Sequence, residues 1–110
     1  MTAWLVRGDD VLASLDVADT FVRRLKGLLG RDGIDGAYLI RPAMSVHTIG
    51  MRFAIDVAFC SKELTVIDVA TMKPNRVGFI RPAARCVIEA EAGAFERWGL
   101  RTGDQLEVRG

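Results

Sequence analysis

The apolar residues of this chain come in short runs, each cut off by a turn former, and that punctuation limits the fold more than any other feature. Residues 3–7 and 11–15 flank Gly8-Asp9-Asp10, the pattern of an opening β-hairpin. Residues 36–41 read as a strand stopped by Pro42. Residues 55–60 alternate Ile55, Val57 and Phe59 against Asp56, Ala58 and Cys60, which predicts a strand with one packed face. The polar turn Ser61-Lys62-Glu63 leads into a partner strand over residues 64–70. Residues 72–84 carry Pro74, Gly78 and Pro82 and are expected to form a loop. A strand over 85–91, a short helical turn over 92–98, the turn Thr102-Gly103-Asp104 and a last strand over 105–109 complete the β-rich pattern.

One segment has helical spacing. Phe21, Val22, Leu25, Leu28 and Leu29 form a single stripe behind Asp19 or Thr20, either of which can cap the first turn, and Gly30 suits the terminus. The expected main helix therefore covers about residues 20–29. Gly27 within it suggests that something packs close to its backbone, because glycine costs about 1 kcal/mol relative to alanine in a helix interior.

A chain of 110 residues with 50% hydrophobic and 26% charged residues fits one domain with its own core. Fifteen basic side chains face 14 acidic ones, so a global attraction to nucleic acid or to an anionic membrane has no support. The start of the chain lacks the charged and apolar regions of a secretory signal, and a cytoplasmic setting is the expectation. The two cysteines, Cys60 and Cys86, form no CxxC pair and have no histidine at ligand spacing, so no metal or cofactor is expected and both read as small buried hydrophobes.

Four ordered motifs carry a resemblance: Arg24-x-x-Gly27-Leu28, then residues 45–59 running from Ser45-Val46-His47-Thr48-Ile49-Gly50-Met51-Arg52 to Phe59, then Val87-Ile88-Glu89-Ala90-Glu91-Ala92-Gly93, and Gly103-Asp104-Gln105-Leu106. In this order the chain resembles the DUF192 family, also called UPF0127, from Ala18 to Val108. Departures occur at Leu29, where many members have methionine, and at Ala54, where many have proline. The resemblance implies a small α+β domain with a mostly antiparallel, barrel-like sheet and little helix, and implies no established activity. The family's characteristic residues fall at Arg24, Gly27, Leu28, His47, Thr48, Gly50, Met51, Asp56, Glu89, Gly93, Gly103 and Asp104. Gly103-Asp104 reads as a tight turn and Gly93 as an element terminus. Asp56 and Glu89 are carboxylates within apolar strands, which an ion pair with Arg24 would satisfy.

The charges are sorted along the chain. No acidic residue occurs between Asp35 and Asp56, where Arg41, His47 and Arg52 stand, nor between Asp68 and Glu89, where Lys73, Arg76, Arg81 and Arg85 stand. Both stretches are loop-like, and loops on a rigid scaffold commonly carry binding groups. Folded side by side, they would form a cationic cleft for a small anionic ligand or for an acidic segment of a protein partner. The candidate residues are Arg24, Arg41, His47, Thr48, Met51, Arg52, Asp56, Arg81 and Arg85, arginine being suited to carboxylate and phosphate. Two alternatives stand beside this reading. One is a small enzyme with His47 as base and Asp56 orienting it; the other is a structural adaptor with an exposed apolar patch around Phe79 and Ile80 or around Trp98 and Leu100.

Overall fold

The computed structural model describes residues 3–18 and 32–110. The helix read over residues 20–29 lies outside the described residues, and with it Arg24, Gly27 and Leu28.

Among the described residues seven strands form one sheet: β1 (Ala3–Arg7), β2 (Asp10–Ala18), β3 (Ala37–Ile40), β4 (Ile55–Cys60), β5 (Val66–Met72), β6 (Cys86–Glu91) and β7 (Glu107–Arg109). The spatial order is β5-β4-β6-β3-β2-β1-β7. A single short helix, α1 (Ala94–Trp98), follows β6 among the described residues. No described helix is long and apolar enough to cross a membrane.

The sheet is mixed, because β2 and β3 run parallel while the other pairs are antiparallel. It is also open, which corrects the barrel-like expectation. The sheet curls until its edges touch, with Val66 N–H donating to Asp104 O (2.9 Å), Leu106 N–H donating to Leu64 O (3.0 Å) and an isolated bridge joining Thr65 to Gln105. These contacts reach only Val66 at the start of β5 and residues before β7, and the three residues of β7 are spent on β1, so no ladder closes the ring.

The strand expected to pack on one face packs on both. All six residues of β4 are buried. Its Ala58 and Cys60 join Leu5, Leu39, Ile88 and Leu106 in one core, and its Ile55, Val57 and Phe59 join Tyr38, Met51 and Val87 in a second on the opposite face. A central strand between two cores loses the polar alternation of a half-exposed one.

Gly36 shows why the chain needs a glycine before β3. Its φ is +76°, and a Cβ there would lie 2.3 Å from Ser14 Oγ and 2.7 Å from Ser14 O. β3 can join β2 only if its first turn leaves that space empty.

Candidate functional site

The two acid-free stretches do fold side by side. Ala43 N–H donates to Arg85 O (3.0 Å), Arg81 N–H to Met44 O (2.9 Å), Gly78 N–H to Val46 O (2.9 Å) and Thr48 N–H to Arg76 O (2.7 Å). His47 and Val77 form an isolated antiparallel bridge within this zipper. At its far end Gly50 N–H donates to Asn75 Oδ1 (3.0 Å), and both residues adopt positive φ. The loops are therefore one two-stranded ledge, anchored to the sheet through Met51 and Ile55 on one side and Met72 on the other.

Thr48 is the pin of this ledge. It is fully buried, and its hydroxyl donates to Lys73 O (2.6 Å) while accepting from Arg76 N–H (2.9 Å). A buried hydroxyl satisfied twice by backbone is engaged in holding two loops together. Met51 is likewise buried in the second core. His47 is exposed on the outer side of the ledge.

The ledge sorts its arginines into neutralised and uncompensated groups. Arg52 Nη1 pairs with Asp32 at 2.9 Å, both side chains being well exposed. Arg81 lies 4.0 Å above the ring of the fully buried Phe59, pairs with Asp68 through Nε (3.2 Å) and Nη2 (3.1 Å), and donates from Nη1 to Phe79 O. That arginine holds the loop to the sheet by a cation–π contact and a two-pronged ion pair. Arg76 donates to Pro74 O and Asn75 O, and Arg85 to Pro82 O and Ala84 O. Carbonyl oxygens orient these guanidinium groups without cancelling their charge. Among the described residues nothing pairs with Arg41, Lys62 or Lys73.

Arg41, Lys62 and Arg85 converge on one groove of about 300 Å³, whose remaining walls are Pro42, Leu64 and Cys86. Past Pro42 and Arg85 it continues into a second hollow of about 500 Å³ bounded by Ala43, Met44 and Pro82. Lys62 came from a segment read as a plain turn, and only the pairing of loops exposes its place beside Arg41 and Arg85. On the ledge itself Phe79 is 87% exposed and Val77 72%, with Ile80, Ile49 and Met44 also open to solvent.

Asp56 has a different task. It is buried, and Oδ1 accepts from Thr71 Oγ1 (2.7 Å) while Oδ2 accepts from the backbone N–H of Gly93 (2.9 Å) and Phe95 (3.1 Å). Gly93 caps α1 with φ +95° and has no side chain of its own to offer, so a carboxylate from β4 supplies the cap. With its oxygens filled in this way Asp56 does not orient His47, and the enzyme arrangement is not assembled by the described residues. Nor do three His, Cys, Asp or Glu side chains gather at any common point among them.

Glu89 is the other buried carboxylate. It sits in β6 between Tyr38 of β3 and Val57 of β4, and no described side chain gives it a hydrogen bond or an opposite charge. Burial alone pushes its pKa up to about 7. Gly103-Asp104 is the expected turn, with Gly103 at φ +96° and Asp104 Oδ2 accepting from Arg101 N–H (3.0 Å). Asp104 also pairs with Arg7 (3.0 Å), which donates in addition to Trp98 O (2.7 Å) behind α1.

With this geometry in place, comparison with known proteins gives a family and a fold. The DUF192 family model, described as "Uncharacterized ACR", matches residues 4–108, and the chain belongs to that family. It is 30% identical over 108 residues to a UPF0127 protein of Pyrococcus furiosus, covering 94% of this chain and 93% of that one. It is 32% identical over 98 residues to a UPF0127 protein of Pyrococcus abyssi, covering 84% of each. Two crystal structures share the fold. One is of a putative transcription regulator from Sinorhizobium meliloti (TM-score 0.81, 18% identity, 97% of this chain and 92% of that one). The other is of a protein of unknown function from Novosphingobium aromaticivorans (TM-score 0.76, 17% identity, 96% and 83%).

Proposed function

We propose that this DUF192-family chain is a binding module whose zippered ledge, residues 41–54 and 73–85, docks an acidic segment of a partner protein that also carries apolar side chains. The observation that carries the reading is the composition of the ledge surface. Phe79, Val77, Ile80, Ile49 and Met44 are exposed together, beside Arg41, Lys73, Arg76 and Arg85, whose charges no described carboxylate cancels. Adjacent exposed apolar side chains of this size mark interaction surfaces more often than scattered single ones do. The cations add direction, because complementary charge steers encounter and disfavours the wrong partner. A binding surface held by backbone pairing and by Thr48 loses little conformational freedom when it is covered.

The test uses a labelled peptide of alternating Glu and Leu with one Phe, followed by fluorescence anisotropy. Saturable binding should weaken at least tenfold with Phe79→Ser and with the pair Arg76→Glu and Arg85→Glu. It should also weaken as salt shortens the reach of surface charge below about 8 Å. Equal binding by wild type and both variants, or no preference over a neutral peptide, rejects this reading.

The groove among Arg41, Lys62 and Arg85 supports a second reading, a small anion such as a phosphate ester or carboxylate. Saturable competition by such an anion, lost in Lys62→Ala but kept in Phe79→Ser, would favour it over the ledge.

A further inference from the structure

The floor of that groove holds chemistry that the binding proposal does not use. Cys60, the last residue of β4, and Cys86, the first of β6, are directly opposite each other in an antiparallel pair. Directly opposed residues place their side chains on the same face, and both cysteines belong to the same core. Opposed Cα atoms in such a pair lie about 4.5–5.5 Å apart, within the roughly 4.4–6.8 Å that a disulfide spans. Both thiols are free. Cys86 forms part of the wall of the groove, while Cys60 is fully enclosed behind it.

We propose that Cys60 and Cys86 are a reversible redox pair, which a small hydroperoxide entering the cationic groove converts to a cross-strand disulfide with Cys86 as the attacking sulfur. Position assigns the roles, because only Cys86 borders the groove. Arg41, Lys62 and Arg85 line that opening, and the Arg41 charge favours the thiolate over the thiol. The proton balance within the pair agrees. The Cys60 side chain beside it and the Arg41 charge, opposed by burial, draw the Cys86 thiol below its ordinary range, while its Sγ donates to Ser61 O at 3.3 Å. The Cys86 side chain beside it, together with burial, pushes the Cys60 thiol far up. Of the pair, Cys86 therefore loses its proton first.

The chemistry balances in two steps. The Cys86 thiolate attacks one peroxide oxygen, the O–O bond breaks, and the hydroxide that leaves takes up the proton Cys86 gave away, forming water. Cys86 is now a sulfenic acid. The sulfur of Cys60 then attacks that of Cys86, the S–O bond breaks, and hydroxide departs with the Cys60 proton as a second water. Two thiols and one hydrogen peroxide give one disulfide and two waters. An external dithiol reverses the reaction by exchange.

The test exposes the folded, reduced protein to graded hydrogen peroxide, then denatures it with an excess of alkylating agent and measures intact mass. Wild type should pass from two alkylated cysteines to none, remain a single chain on a non-reducing gel, and recover both alkylations after dithiothreitol. Cys60→Ala should stop at a sulfenic acid that dimedone traps on Cys86, and Cys86→Ala should leave Cys60 at least tenfold slower to oxidise. Lys62→Ala, a change on the exposed rim, should slow wild-type disulfide formation several-fold in the folded protein but not in urea, which keeps the test decisive even where a core variant does not fold. Two cysteines still alkylated after peroxide has consumed an equal amount of free glutathione would overturn the proposal. So would chain-to-chain disulfides as the main product, or equal peroxide rates for wild type and Lys62→Ala in the folded state.

Discussion

Glu89→Gln offers the sharpest stability prediction, because a single group sets both its sign and its pH window. Folding buries this carboxyl without a described partner and holds its pKa at about 7, against 4.5 for the free group. Between those values the folded chain keeps a proton that the unfolded chain has released, so stability falls as pH rises through that window and levels off above it. Below 4.5 both states are protonated and the contribution is fully present. At roughly 1.4 kcal/mol per pH unit, the difference between 4.5 and 7 amounts to about 3 kcal/mol. Glutamine keeps the shape and removes the titration. Thermal melts of both proteins from pH 4 to 8.5 should therefore coincide, or favour wild type slightly, at the acid end. They should separate steadily above pH 5, until the variant melts some 10 °C or more higher at pH 8, given about 4–8 °C per kcal/mol for a small domain. Parallel curves across the range, or a variant less stable than wild type at pH 8, would refute the reasoning, since either result requires the ionised Glu89 to be stabilised in the fold.

The remaining predictions concern the cap, the tight approach and the ledge. Asp56→Ala removes the cap of α1 and the partner of Thr71, and should lower stability by about 3 kcal/mol in urea melts, with Asp56→Asn costing less than half of that because an amide oxygen still accepts from Gly93 and Phe95. Gly36→Ala forces a Cβ to within 2.3 Å of Ser14 at positive φ, and should cost more than 2 kcal/mol by the same assay. Phe79→Ser, at a side chain almost wholly in solvent, should leave the melting temperature within about 4 °C of wild type, as surface changes usually stay within about 0.5 kcal/mol. Arg81→Ala loses both the Phe59 contact and the Asp68 pair, and should cost about 1–2 kcal/mol, with part of the difference disappearing in high salt.

Much of the fold was readable because turn formers stand at strand ends. Gly8-Asp9-Asp10, Pro42, Ser61-Lys62-Glu63 and Gly103-Asp104 each mark a boundary that the structure honours within a residue or two. What failed was the reading of faces and closure. Ile55–Cys60 alternates large apolar with small or acidic residues, and alternation alone suggests one wet side. The smaller side, Ala58 and Cys60, instead faces a complete second core, because small residues leave room for Leu39, Ile88 and Phe95 to pack there. The length of β7 limits its reach to β1, and a three-residue strand carries no sequence signal of which neighbour it lacks.

The candidate site was legible as a charge pattern and illegible as a geometry. The absence of acid between Asp35 and Asp56, and again between Asp68 and Glu89, marked two cationic stretches but not their adjacency, which backbone pairing supplies against the repulsion of like charges. Composition could not tell which cations a distant acid would neutralise. Asp68 lies in β5 and Asp32 just before β3, and only the folded chain brings them to Arg81 and Arg52. The same step engages Thr48 and Asp56 in hydrogen bonds within the fold, and brings Lys62 and Cys86 to the groove. Residues of one type thus diverge in role through partners tens of positions away. For that reason partners distant in sequence, rather than the count of arginines, determine which cations stay uncompensated: Arg52 and Arg81 meet carboxylates, while Arg41, Lys62 and Arg85 line the groove without a described one.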